Sequence, residues 1–349
     1  MTARITVKKI AELCGISQPV VSAVLNRGKI KSNVRFSEET AIKVMTIADQ
    51  YGYRPNRVAQ NFQSQKHHII GVLVHEAGNI TPDAFRNLLS IADDHKQLIS
   101  FESVKPTAVE LPVFIRKDCV DGVLLFEQLD PKIHEAIART KLPAISINAG
   151  HICQTHNVVF DEVDAIRQAV ELFEKSGCER YVLTRTFANP NHYATHERVS
   201  TLHRLAYQNG LPEPQIIDMD HLLIGTTAQK HAVMKHLLDV FKQSGKIGLI
   251  DTGVMTTLPL HNALTQTRRQ VPDNLEHIFI GNDPTNDYAW PPITRLTIDM
   301  RKLIEQNIED LSRIIRGEKP QGPPVVTYKL IKRTEHDIGS AVEAIDGDE

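Results

Sequence analysis

Six short apolar runs, each bounded by turn residues, constrain the fold of this chain more than any other feature. They are 69–74 (IIGVLV), 121–126 (DGVLLF), 142–147 (LPAISI), 180–185 (RYVLTR), 246–250 (KIGLI) and 277–281 (HIFIG). Unbroken apolar runs of this length suit strands buried on both faces, the usual condition of parallel strands. The intervening segments, such as VDAIRQAVELFEKSG and TAQKHAVMKHLLDVFKQSG, have helical periodicity and end at a Gly that suits a helix C-cap. Strand–helix alternation over about 260 residues predicts doubly wound α/β units, and that length predicts two lobes. Ligands of such folds bind beyond the carboxyl ends of the strands.

The first part of the chain reads differently. Thr6 can cap a helix in which Ile10 and Leu13 share a face and which Gly15 ends. Ser17 can cap a second helix, where Val20, Val21, Val24 and Leu25 recur at helical spacing up to Asn26. Two short helices joined by a turn of about three residues containing Gly form a helix-turn-helix pattern. A third helix runs from the cap Ser37 through Thr40, Val44, Ile47 and Ala48 to Tyr51, and Pro55 separates it from a polar linker. Residues 1–66 hold eleven Lys and Arg against four Asp and Glu, a net of +7, while the whole chain carries −2, which leaves −9 for the rest. A basic head on an acidic body suggests that the head alone meets a polyanion such as DNA. The expected divisions are 1–53 (helix-turn-helix head), 54–67 (hinge or linker), 68–333 (two-lobed body) and 334–349 (acidic tail).

Other chemistries find little support. The opening MTARITVKKIAELCG lacks the pattern of a secretory signal, and no apolar stretch is long enough for a membrane span. Cys14, Cys119, Cys153 and Cys178 show no CxxC spacing, which fits free thiols in a reducing cytoplasm. His192 and His196, four apart in NPNHYATHER, could face a metal together, but without a third ligand a surface loop is the simpler reading. With no GxSxG, P-loop or GxGxxG motif, neither an enzyme nor a cofactor is expected.

The head residues Thr6, Ile10-Ala11, Gly15-Ile16-Ser17, Val21-Ser22, Val24-Leu25-Asn26, Ser37-Glu38-Glu39-Thr40 and Tyr51 to Ala59 stand in an order and spacing that resembles the lactose-repressor (LacI) family of bacterial transcription regulators. Ile70-Gly71-Val72, Asp121-Gly122-Val123, Val271-Pro272-Asp273, Gly281-Asn282-Asp283 and Leu330-Ile331-Lys332-Arg333 extend a looser resemblance over most of the body. The resemblance implies a head, a hinge, and a body folded like the periplasmic sugar-binding proteins. It further implies a dimeric regulator of transcription, most simply a repressor, that binds a palindromic double-stranded DNA operator and responds to a small molecule, sugar-like or of unidentified class, held between the lobes.

On that resemblance the DNA-binding candidates are Thr6, Ser17, Gln18, Pro19, Val20, Ser22, Ala23 and Asn26 in the head, with Asn56, Arg57, Ala59 and Phe62 in the hinge. Gln18 can bond an adenine edge bidentately. Thr6, Ser22 and Asn26 suit phosphate contacts, which position without specifying sequence. Pro19 and Ala23 stand where relatives usually carry polar readers, and Phe62 where the minor-groove wedge is usually Leu. The effector candidates are Asp161, Arg198, taken to precede the helix STLHRLAYQNGL, and Asp283, where Asn282 replaces the family's aromatic residue. Rival readings are a secreted solute-binding protein, an α/β enzyme fused to the same head, and an architectural DNA binder without ligand control.

Overall fold

The computed structural model describes residues 5–25, 34–54, 66–75, 82–95, 97–104, 110–126, 129–150, 155–186, 192–253, 256–271, 273–283, 286, 289 and 293–332. The chain divides into two units, Met1–Lys66 and His67–Glu349.

In the first unit, α1 (Val7–Cys14), α2 (Gln18–Leu25) and α3 (Glu38–Gln50) pack around Ile10, Ala11, Cys14, Val21, Val24, Ala41, Val44 and Ala48. The Thr6 hydroxyl accepts the Lys9 N–H, and the Ser37 hydroxyl accepts the Thr40 N–H, so both helices start at oxygen-bearing caps. Gly15 ends α1 with φ of +68°, a left-handed conformation that leaves room for only a short turn before α2. Lys43 of α3 donates to the carbonyl of Cys14 at 3.0 Å, satisfying a C-terminal group of α1 and tying the helices together.

The second unit has two six-stranded sheets. The N-terminal lobe carries β1 (Ile69–His75), α4 (Pro82–Asp94), β2 (Leu98–Val104), α5 (Val113–Arg116), β3 (Gly122–Phe126), α6 (Pro131–Thr140), β4 (Ala144–Ile147) and β5 (His156–Phe160). The C-terminal lobe carries α7 (Glu162–Lys175), β6 (Arg180–Arg185), α8 (Tyr193–Gln208), β7 (Gln215–Asp218), α9 (Asp220–Ile224), α10 (Thr227–Lys242), β8 (Ile247–Asp251), α11 (Thr257–Gln266), β9 (Leu275–Ile280) and β10 (Thr294–Thr297). Then come α12 (Met300–Ile315), β11 (Val325–Val326) and β12 (Lys329–Ile331). The sheet orders are β2-β1-β3-β4-β5-β11, all parallel, and β7-β6-β8-β9-β10-β12, parallel except that β12 runs against β10. All six apolar runs form central strands, and β3, β8 and β9 are buried along their whole length. This is the two-lobed doubly wound α/β body expected.

The chain crosses between lobes three times, near 160–162, 297–300 and 326–329. Two helices therefore pack on the lobe opposite to that of the strand before them. After β5, α7 packs on β8 and β9, while α12, after β10, packs on α4, β3 and β4. Gly248 in β8 permits the first of these approaches, since a Cβ there would lie 2.5 Å from the Phe173 ring. One buried cluster, including Ile70, Val72, Ile166, Phe173, Ile278, Ile280, Ile304 and Leu311, consequently runs through both lobes.

Candidate nucleic-acid interface and inter-lobe site

At the start of α2, the Ser17 carbonyl accepts the N–H groups of Val20 and Val21 at 3.1 and 3.2 Å, which fixes where the helix begins. Gln18, Pro19 and Ser22 are exposed on one side, Val20 is half-buried, and Val21 and Val24 enter the core. Pro19 is tolerated because first-turn N–H groups lack intrahelical partners. Thr6 and Ser17 are also exposed, as are Lys8, Lys9, Arg35, Lys43 and Arg54. This unit thus offers an exposed polar first turn and also exposes several cations, features that can meet base edges and neutralise phosphates. Ala23 follows the exposed Pro19 by one turn and is itself 7 % exposed, a small side chain that presents little surface. Asn26, Asn56, Arg57, Ala59 and Phe62 lie outside the described residues.

In the body, Arg198 does not precede its helix. It sits within α8, which begins at Tyr193 with His192 as N-cap, and His192 is buried rather than part of a surface loop. The Arg198 guanidinium is already engaged: Nε donates to Glu162 Oε2 at 2.6 Å and Nη2 to Glu162 Oε1 at 2.9 Å. Tyr328 donates its hydroxyl to the same Oε1 at 3.0 Å. Glu162 is fully buried and the Arg198 side chain only 12 % exposed. Burial alone would lower the Arg198 pKa, but the Glu162 carboxylate outweighs it and holds the guanidinium charged. Burial and the same carboxylate push the Tyr328 hydroxyl well above its ordinary range. Asp161 is likewise committed, as N-cap of α7 accepting the Asp164 N–H at 2.9 Å. Two of the three expected effector contacts therefore form part of the protein's own framework.

The third, Asp283, is buried near a carboxylate that sequence reasoning missed. Asp251 ends β8 beside β6, where the strand order reverses, the position at which doubly wound sheets bind ligands. It is fully buried; its Oδ1 accepts the Thr184 hydroxyl at 2.8 Å, the Thr256 hydroxyl at 3.0 Å and the Gly253 N–H at 3.1 Å. Burial raises its pKa to about 6 against the lowering effect of these bonds, and Asp283 adds to the rise. Its only signal in the sequence was an acid closing the apolar run IGLID. Asn282, the departure from the family's aromatic residue, has a structural job: its amide donates to the Ile298 carbonyl at 2.6 Å and accepts the Ile298 N–H at 3.1 Å, tying the strand-end loop to β10.

No family model matches the chain. It is 22 % identical over 344 residues to the lactose operon repressor of Escherichia coli (strain K12), covering 94 % of this chain and 90 % of the repressor. It is 40 % identical over 79 residues to the sucrose operon repressor of Klebsiella pneumoniae, covering 22 % of this chain and 23 % of that one. Its fold matches the crystal structure of the lac repressor dimer bound to operator and the anti-inducer ONPF, with a TM-score of 0.75, 20 % identity and coverage of 95 % of this chain and 98 % of that one. The ordered head residues, the two-lobed parallel sheets and similarity to curated repressors along nearly the whole length are what this chain shares with the lactose-repressor family.

Proposed function

We propose that the protein is a cytoplasmic, sequence-specific DNA-binding regulator of transcription, acting as a repressor, that binds a palindromic operator as a dimer and is controlled by a small molecule held between its lobes. The observation that carries this reading is similarity over nearly the full chain to operon repressors, together with an exposed Gln18-Pro19-Ser22 face on a basic three-helix unit. The role is binding rather than catalysis. Among the described residues no helix is long and apolar enough to cross a membrane. Asn26 and the hinge residues Asn56, Arg57, Ala59 and Phe62 keep the DNA-binding roles that the resemblance implies.

The test is selection of bound sequences from a random DNA pool, followed by titration of the best site at two salt concentrations. An enriched palindrome bound with steep salt dependence supports the reading; no enriched site, with or without candidate small molecules, overturns it. On the selected site, Gln18→Ala is expected to weaken binding at least 10-fold, since each half-site of the palindrome loses a bidentate base contact of about 1–3 kcal/mol. The loss should vanish on operators changed at the base pair that Gln18 reads.

For the dimer, the N-terminal lobe offers an apolar face on α4 and the edge strand β2. Phe85, Leu89, Leu98 and Phe101 are between 38 % and 45 % exposed there, with the Phe85 and Phe101 rings edge to face at 5.8 Å. Such a patch on an unpaired sheet edge needs cover. Phe101→Asp is expected to weaken the dimer at least tenfold in analytical ultracentrifugation while leaving the far-ultraviolet circular dichroism unchanged. A variant that stays dimeric at all concentrations would move the interface elsewhere.

A further inference from the structure

We infer that the body carries its own inter-lobe latch: polar contacts from α8 to the N-terminal lobe and to the crossing strands hold the two lobes at one angle without any ligand.

The first part of the latch joins the start of α8, in the C-terminal lobe, to the loop after β4, in the N-terminal lobe. His192 Nδ1 accepts the Ala194 N–H at 3.2 Å, so its proton lies on Nε2, which donates to the Asn148 carbonyl at 3.0 Å. The Tyr193 hydroxyl donates to Asn148 Oδ1 at 2.7 Å and accepts the Phe160 N–H at 3.0 Å, and so spans a loop and a strand of the other lobe. Asn148 takes these bonds at φ of +57°, a conformation that costs a residue with a Cβ and that its surroundings must hold in place. Gly150 leaves room for the same contact, since a Cβ there would lie 3.2 Å from the Tyr193 ring.

The second part lies six residues along the same helix. Arg198 binds Glu162, just after the first crossing, and Glu162 binds Tyr328, in the third crossing. Those two crossings run side by side: Val326 pairs with Phe160, the Asp161 N–H donates to the Val326 carbonyl at 2.9 Å, and the Phe160 and Tyr328 rings meet edge to face at 6.1 Å. A rigid rotation of one lobe against the other moves α8 relative to Asn148 and twists the two paired strands, so it cannot keep both parts intact. A small molecule that changes the lobe angle must therefore compete with the bonds of His192 and Tyr193 to Asn148 and Phe160.

The test measures lobe angle directly. Spin labels at Lys132→Cys on α6 and Lys230→Cys on α10, both exposed positions in opposite lobes, are introduced with Cys119 and Cys153 replaced by Ser, and labelled protein is diluted with unlabelled protein. Pulsed electron–electron distances in ligand-free protein are expected to give one narrow distribution, which at least doubles in width in Tyr193→Phe and again in Tyr328→Phe, two variants that keep their rings. A distribution equally narrow in both variants overturns the latch, as does one already broad in the parent. Thermal melts of the same samples separate this effect from simple destabilisation, which would shift the midpoint without widening the distribution.

Discussion

Replacing Arg198 by Met is expected to lower the stability of the two-lobed body by about 3–5 kcal/mol, the usual cost of leaving one partner of a buried ion pair without the other. Glu162 is fully buried, and two of its compensating hydrogen bonds come from Arg198. Without the guanidinium the buried carboxylate loses both of those bonds. Denaturant titration at pH 7.5 should show the loss. The double variant Glu162→Leu, Arg198→Met is expected to recover much of the stability, because no stranded charge remains. A single variant as stable as the parent would mean that solvent reaches Glu162.

Asp251→Asn should act in the opposite direction. A carboxyl whose folded pKa is raised binds more protons folded than unfolded, so its contribution is full below the unfolded value near 4 and is lost as pH rises through about 6. At neutral pH the ionised form is therefore a cost of about 1–3 kcal/mol, given the size of the shift. An amide can keep the existing geometry: its oxygen accepts from Thr184 and Gly253, and its nitrogen donates to Thr256, whose hydroxyl already lies 2.9 Å from the Gly253 carbonyl. The variant should be more stable than the parent at pH 7.5, with the difference shrinking towards zero near pH 4. His134 and His277, whose burial lowers their pKa values to about 4 and about 3, lose stability as pH falls below about 6.5. They do so in both proteins, so the difference isolates Asp251. A variant less stable at every pH would show that the carboxylate is held by favourable bonds after all. The loss of neutral-pH stability is what a site prepared for a donor-bearing ligand should show, because the ligand would supply what the carboxylate lacks.

The central strands were legible because burial on both faces leaves unbroken apolar runs such as IGLI, and the head was legible because Thr6, Gly15 and Ser37 each do a local job at a helix end. The edges were not. LISFESV, as β2, is exposed or half-buried everywhere except Val104, and β7, β11 and β12 are two to four residues long, too short to carry a period. Site chemistry fared unevenly for a related reason. Asp161 and Arg198 were singled out, but what they bind depends on partners such as Glu162 and Tyr328; the Glu162–Arg198 pair spans 36 positions and the Glu162–Tyr328 pair 166.

The exchange of helices between the lobes also governs how the chain must come to be. A ribosome completes β1 to β5 first, yet α12, which covers β3 and β4, belongs to residues 300–315, and the sixth strand of that sheet to 325–326. The lobe made first is thus completed only near residue 326, and during synthesis of some 140 residues the part of it that α12 covers stands open. Neither lobe is one continuous stretch of chain, because each sheet takes its last strand, β11 or β12, from beyond residue 324.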